Sequence, residues 1–173
     1  MSGHSVADAT ALVAVQPAVQ SAAHPALNPL IGGWNLLRWE IAYEDGRAPS
    51  TPFGADATGI LVYAPDGCMN ASISRARRKP LSSPSTRTAP VEERLAAFES
   101  FFSYGGRYRI ESGADGQHVV HSVSQSLNPN FIGSEQRRKM DFAADGTLTL
   151  SAADGAPGSG LQRHHRLIWK RAQ

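Results

Sequence analysis

Two consecutive predicted strands carry the residue types most able to do chemistry. In the first, Val119, His121, Val123 and Gln125 share one face because side chains alternate across a strand. The valines predict that this face is buried, which takes His121 inside. An inward imidazole could move a proton near neutral pH. It could equally be a core residue whose ring nitrogens are satisfied by hydrogen bonds.

The next strand has the same pattern with a cation on the apolar face. Its inward set is Gln136, Arg138, Met140 and Phe142, while charged residues occupy the opposite face. An inward guanidinium costs roughly several kcal/mol unless it is paired. Glu40 is the carboxylate on a plausible inner face, so an Arg138–Glu40 ion pair is one outcome. The other is that Arg138 and Gln136 grip a carboxylate, enolate or phenolate oxygen of a ligand.

Tyrosines supply the remaining candidate groups. Tyr108 alternates in phase with Ile110 and could orient a carbonyl or donate a proton to it, although it could also be a core residue with a satisfied hydroxyl. The expected catalytic set is therefore His121, Arg138 and Tyr108. The further residues expected to contact a substrate are Gln136, Tyr63, Met69, Met140, Glu40 and Trp39.

Metal and cofactor chemistry is not expected. His118 and His121 fall on opposite strand faces, as do His164 and His165, so neither pair can chelate one ion in regular strand geometry. Cys68 is the only cysteine, which excludes an intramolecular disulfide and favours a reducing, cytoplasmic location. No glycine-rich loop opens a helix to cradle a phosphate.

The composition of the chain does not call for a nucleic-acid partner. The chain of 173 residues has a formal net charge of +2, and its basic clusters lack the interleaved aromatics of a nucleic-acid groove. No stretch approaches the ~20 apolar residues of a membrane span, so no membrane partner is expected. A homodimer is compatible with the sequence. Residues 1–28 are expected to form a disordered or loosely docked leader before a single domain over 29–173.

The elements that would position these residues are mostly strands. Alternation and turn signals predict about eight strands and one inserted helix, hence a mainly β, antiparallel barrel. Strand 32–43 has ambiguous faces: Trp34, Leu36, Arg38 and Glu40 on one, and Leu37, Trp39, Ile41 and Tyr43 on the other. Val91, Leu95, Phe98 and Phe102 form a helical stripe expected to pack on the sheet, with Gly105–Gly106 ending the helix. Arg75, Arg77 and Arg78, in the loop over 74–89, are expected to be solvated or to form a lid over an anionic ligand.

These features resemble the lipocalin-like domain family. The segments that carry the resemblance include Gly32-Gly33-Trp34, Pro52-Phe53-Gly54, Gly59–Tyr63, Asp66–Met69, Phe102–Tyr108, Ser126–Asn130, Gly133, Gln136 with Arg138, and Leu167–Trp169. The resemblance implies a calycin-like β-barrel with the Gly-x-Trp tryptophan at its base, often beneath a late arginine. Arg163, Arg166 and Arg171 are the candidates for that arginine.

An eight-stranded barrel has room for about one small ligand. The favoured expectation is a cofactor-free enzyme that performs proton-transfer chemistry (isomerisation, cyclisation or elimination) on a small apolar or aromatic oxygenated metabolite. His121 would move the proton, and Arg138 with Gln136 would stabilise negative charge on oxygen. The alternative is a carrier that binds a hydrophobic ligand without changing it. An interaction module is a third possibility.

Overall fold

A computed structural model describes residues 28–155 and 160–173, so apart from Asn28 the predicted leader lies outside the described residues. The strands are β1 (Gly32–Tyr43), β2 (Thr58–Tyr63), β3 (Cys68–Ser74), β4 (Phe101–Gly113), β5 (Gly116–Ser126), β6 (Glu135–Phe142), β7 (Leu148–Gly155) and β8 (Gln162–Arg171). One helix, α1 (Val91–Glu99), precedes β4, and a 3-10 turn spans Pro129–Phe131. The strands form a closed barrel in sequence order, each antiparallel to its neighbours, which confirms the predicted fold class.

The two ends of the barrel differ. Antiparallel order places α1 and the long β1–β2 and β5–β6 connections at one end, which we call the helix end. The opposite, closed end holds the tight turns and the entry to β1. There the buried Trp34 donates its indole N–H to the Leu30 carbonyl at 2.8 Å, and the Arg171 guanidinium lies 4.3 Å from the Trp34 ring centroid. Among the three arginine candidates, Arg171 therefore caps the basal tryptophan.

A β-bulge resolves the ambiguous faces of β1. Pairing with β8 shifts register between Leu36 and Arg38, so the inward set changes phase within the strand. Trp34 and Leu36 are buried before the shift and Ile41 after it, whereas Leu37 is 50% exposed. Each predicted face is therefore inward over half of the strand.

The bulge also turns Glu40 away from the interior, which corrects its expected position on an inner face. The Glu40 carboxylate lies 2.6 Å from Arg38 Nε and 3.9 Å from an Arg166 nitrogen. The expected Arg138–Glu40 ion pair is not among the ion pairs of the described residues. Arg138 must therefore find its partners elsewhere.

Helix α1 has the predicted position but the opposite orientation. Val91, Leu95 and Phe98 are 66%, 53% and 51% exposed, and the helix turns Glu93 and Ala97 toward the protein. The expectation that the apolar stripe packs on the sheet is therefore wrong. Glu93 instead accepts hydrogen bonds from the backbone N–H and hydroxyl of Ser82.

The helix also ends earlier than the glycine pair suggests. Its last residue is Glu99, and Phe101 already pairs with Ser74 at the start of β4. Gly105–Gly106 lie inside β4, so their assignment as a helix stop is wrong. Cross-strand hydrogen bonds to β3 outweigh the local helical pattern around Phe102.

The three arginines of the loop are exposed, as expected for solvated side chains, and each also contacts a neighbouring group of the protein. Arg75 donates to the Pro52 carbonyl, Arg77 pairs with Asp56, and Arg78 donates to the Ser100 hydroxyl at 3.0 Å. None of the three lines the barrel cavity described below. In the described part of the chain, no helix has the length and apolarity needed to span a membrane.

Candidate functional site

A cavity of about 500 Å³ occupies the barrel interior. Its apolar wall includes Trp39, Ile73, Phe102, Phe131, Leu150 and Leu167. Glu135, Asp154 and Arg163, which also line it, stand at strand ends on the helix side. The cavity therefore extends to the helix end, and its volume falls within the ~300–1,000 Å³ typical of small-molecule sites.

His121 lies at the centre of a buried hydrogen-bonded chain in the cavity wall. Its Nε2 is 2.8 Å from the Tyr63 hydroxyl and its Nδ1 is 2.8 Å from the Tyr104 hydroxyl. Burial, and secondarily the nearby Arg138 charge, lowers the pKa of His121 to about 3. The imidazole is therefore neutral at physiological pH, with both nitrogens engaged by protein groups.

Tyr104 is the site residue that sequence reasoning missed. It is buried, lines the cavity and hydrogen-bonds to His121, which lines the cavity as well. Burial raises the pKa of Tyr104, and it raises that of Tyr63 well above its usual value, so both hydroxyls stay protonated. The sequence does contain a signal for it, because Phe102 and Tyr104 are two residues apart and share one face of a strand. The prediction that Phe102 belongs to a helix concealed this pattern.

Arg138 reaches the interior from β6, where it pairs in register with Val119 while Gln136 pairs with His121. One guanidinium nitrogen lies 3.3 Å from Gln136 Oε1, and Gln136 donates to the Ser134 hydroxyl at 2.9 Å. Within residues 28–155 and 160–173, no carboxylate oxygen lies within 4.0 Å of the guanidinium. Arg138 is thus hydrogen-bonded but not neutralised.

The Arg138 charge also acts on other groups. Burial lowers the pKa of His121 and His165, and the Arg138 charge adds to both shifts, while it opposes the upward pKa shifts that burial causes in Tyr63 and Tyr104. These four groups belong to β5, β8, β2 and β4. Arg138 lines the cavity, so its charge lies in the interior that these strands share.

A second polar chain lies near the cavity entrance. The Trp39 indole N–H donates to His165 Nδ1 at 3.3 Å, so the neutral ring carries its proton on Nε2, which lies 3.2 Å from Asp154. Asp154 in turn accepts two hydrogen bonds of 2.9 Å from Arg163. Trp39, predicted to contact a ligand, does line the cavity, and this chain fixes its ring.

Several predicted residues lie outside the cavity wall. The Tyr108 hydroxyl donates to the Ala64 carbonyl at 3.1 Å and accepts from Asn28 at 3.2 Å, which ties the entry of β1 to the closed end. Met69 and Met140 are buried in the core, and Tyr63 reaches the cavity only through His121. The structure thus brings together His121, Gln136, Arg138 and Trp39 at the cavity, but not Tyr108, Met69, Met140 or Glu40.

Two further features of the described residues bear on ligand chemistry. They contain no group of three or more His, Cys, Asp and Glu side chains arranged to hold a metal ion. The buried Trp169, which lines the inner part of the cavity, has no acceptor for its indole N–H within the same residues. This N–H is a buried polar group without a hydrogen-bond partner among the described residues.

The depressed pKa of His121 predicts a specific acid sensitivity. The unfolded chain takes up this proton near pH 6.5 and the folded chain only near pH 3. Because the unfolded state then binds more protons, His121 should lower the free energy of unfolding by about 1.4 kcal/mol per pH unit as pH falls through that window. The measurement is urea unfolding at a series of pH values, for wild type and for a variant that carries Tyr63→Phe, His121→Leu and Tyr104→Phe. The slopes of the free energy of unfolding against pH should differ between the two proteins by the equivalent of about one proton. Parallel pH profiles would contradict the assignment.

Comparison with known proteins agrees with this architecture. The profile of the lipocalin-like domain family matches residues 31–172. The chain is also 30% identical over 84 residues to a protein of Aspergillus oryzae named as a 4'-hydroxy-3'-methoxypropiophenone carrier protein, an alignment that covers 46% of this chain and 75% of that protein. The eight-stranded barrel, the basal Trp34–Arg171 pair and the family match together show that the chain belongs to the lipocalin-like domain family.

Proposed function

We propose that this protein is a carrier that holds a small oxygenated aromatic molecule in its barrel. The observation that carries the proposal is the cavity of about 500 Å³, with a largely aromatic and aliphatic wall and a few polar donors. Such a site can bury an aromatic ring while it fixes the direction of one oxygen substituent. The relative named as a carrier of a hydroxylated, methoxylated aryl ketone supports this ligand class.

The hydrogen bonding of His121 favours carriage over proton transfer. A general base needs a free nitrogen and a pKa near the working pH. Here both nitrogens face tyrosine hydroxyls, and the pKa of about 3 makes the ring a weak proton acceptor. His121 is therefore poorly suited to deprotonate the carbon skeleton of a ligand, and its hydrogen bonds hold the two tyrosine hydroxyls in place.

A cofactor-free enzyme remains the second candidate because of one observation. Tyr104 lies in the cavity wall with its hydroxyl 2.8 Å from His121 Nδ1, and Arg138 lines the same wall. That arrangement could donate a proton to a carbonyl oxygen while Arg138 stabilises the developing negative charge. Isomerisation or elimination of an aryl ketone would fit this geometry.

Direct binding distinguishes the candidates. Calorimetric titration with 4'-hydroxy-3'-methoxypropiophenone should give saturable one-to-one binding, and chromatography of the extracted ligand after long incubation should recover it unchanged. A new product that forms only with protein would favour the enzyme. Absence of binding by this compound and by a panel of related aryl ketones would contradict both candidates.

Two tryptophan substitutions, one inside the cavity and one outside it, test where the ligand binds. Ala152 lines the cavity, so Ala152→Trp should weaken binding by at least about tenfold, equivalent to about 1.4 kcal/mol. Val62→Trp adds the same side chain at an exposed position on β2 and should leave affinity unchanged. Equal affinities in the two folded variants would place the ligand outside the barrel.

A further inference from the structure

One charged side chain of the cavity wall, that of Arg138, has no ionic partner among the described residues. Every other charged residue of the wall has an ionic partner: Arg163 with Asp154 at 2.9 Å, Glu135 with Arg109 at 2.6 Å, and Arg137 with Glu111 at 3.6 Å. Arg138 alone has no carboxylate partner within the described ranges. The cavity therefore carries an uncompensated positive charge.

A second polar side chain lies in the same wall. Tyr104 lines the cavity together with Arg138 and Gln136, and its hydroxyl lies 2.8 Å from His121 Nδ1. Gln136 offers Arg138 only a neutral carbonyl oxygen at 3.3 Å. A partly buried guanidinium with neutral partners favours an anion, because a charge-assisted hydrogen bond is roughly twice as strong as a neutral one.

We propose that the protein binds its ligand as an aryl oxyanion, a phenolate or carboxylate oxygen that accepts hydrogen bonds from Arg138 and Tyr104. This inference rests on the proposed carrier function and specifies the charge state of the cargo. A phenol loses its O–H proton to solvent on binding, and its oxygen keeps the electron pair. Arg138 supplies the compensating charge, so the bound pair is neutral overall.

The buried chain can support this arrangement without any unpaired donor. The Tyr63 hydroxyl donates to His121 Nε2, His121 Nδ1–H donates to the Tyr104 oxygen, and the Tyr104 hydroxyl then points to the ligand. This direction uses one of the two neutral tautomers of the imidazole. His121 is thus a positioning residue, since it frees the Tyr104 hydrogen for the cargo.

The test compares a phenol with its methyl ether, in which one added methyl group replaces the ionisable proton. The first is 4'-hydroxy-3'-methoxypropiophenone, and the second is its 4'-O-methyl ether, which cannot ionise. At a pH about one unit below the ligand's own pKa, binding should convert the ultraviolet spectrum of the phenol to that of the phenolate. Calorimetric titrations in buffers of different ionisation enthalpy should show that close to one proton is released for each phenol molecule bound. The ether should bind at least about tenfold more weakly.

Variants assign the effect to Arg138. Arg138→Met keeps much of the side-chain length and should abolish both the phenolate spectrum and the preference for the phenol over the ether. Lys139→Met removes a positive charge from the same strand but outside the cavity, and it should keep both. Loss of the preference in both variants equally would attribute it to net charge and overturn the role of Arg138.

Failure of this inference is separable from failure of the carrier function. If wild-type protein binds phenol and ether equally, with no phenolate spectrum, then the protein is a carrier of neutral ligands and the oxyanion proposal is wrong. If neither compound nor a matched aryl carboxylate binds, the carrier function itself fails. The wild-type comparison decides the question even where Arg138→Met does not fold.

Discussion

His121→Leu is expected to lower the free energy of unfolding by about 3 kcal/mol or more. The substitution leaves two buried tyrosine hydroxyls without their partner, and each unsatisfied buried group costs about 1–3 kcal/mol. Tyr63→Phe and Tyr104→Phe should each cost less, because each removes one hydroxyl and leaves His121 with its other bond. Urea unfolding followed by tryptophan fluorescence measures all three at a pH above the His121 transition.

The triple variant separates hydrogen bonding from packing. The combined variant Tyr63→Phe, His121→Leu and Tyr104→Phe removes every polar side-chain atom of this hydrogen-bonded group, so none is left unsatisfied. Its free energy of unfolding should therefore recover to within about 1–2 kcal/mol of the wild-type value. Tyr43→Phe serves as a control because its hydroxyl bonds to Ser50 outside the cavity and should matter little. A cost for His121→Leu below about 1 kcal/mol would mean that other groups or water satisfy the tyrosines.

The success of the fold prediction comes from signals that are local along the chain. Alternation places His121 and Arg138 on inward faces, and the Asn128–Asn130 turn brings their strands together. Such patterns depend on residues that are neighbours in sequence, so they survive into the folded state. The antiparallel barrel and its single inserted helix follow from the same signals.

Bulges account for one group of failures. Strict alternation predicts that Glu40 faces inward with Trp34, because a pattern with a period of two residues does not reveal the extra residue of a β-bulge. The register shift after Leu36 depends on β8 and reverses the phase. The expected Arg138–Glu40 pair fails for that reason, and its failure leaves Arg138 available to a ligand.

Competition between helix and sheet accounts for the other group. The spacing of Phe98 and Phe102 suits a helix, yet Phe102 pairs with Ile73 on the neighbouring strand β3. Once the segment is a strand, Phe102 and Tyr104 face the cavity and α1 is left with an exposed apolar stripe. Tyr104 could not be assigned to the site until that competition was resolved.

Gly105 and Gly106, which the sequence pattern predicts to end a helix, have a steric role within β4. Gly105 pairs with Gln125, but Gly106 pairs with Val123, so β5 contains one extra residue, Ser124, opposite the pair. The bulge presses the β5 backbone against β4. A Cβ atom at position 106 would lie 2.0 Å from the Ser122 carbonyl oxygen and 3.0 Å from the Ser124 nitrogen.

Gly106→Ala is therefore expected to be the most damaging single-methyl change in the barrel, costing more than about 4 kcal/mol or preventing folding. The clash is with backbone on both sides of the bulge, so no side-chain rotation relieves it. Gly155→Ala, also in a strand but with no atom within 4 Å of the added Cβ, should be close to neutral. Thermal unfolding and soluble yield measure both variants. A Gly106→Ala protein that unfolds within a few degrees of wild type would show that β4 and β5 do not approach at the bulge. Gly106 lies two residues beyond Tyr104, so a disrupted bulge should also displace this tyrosine in the cavity wall.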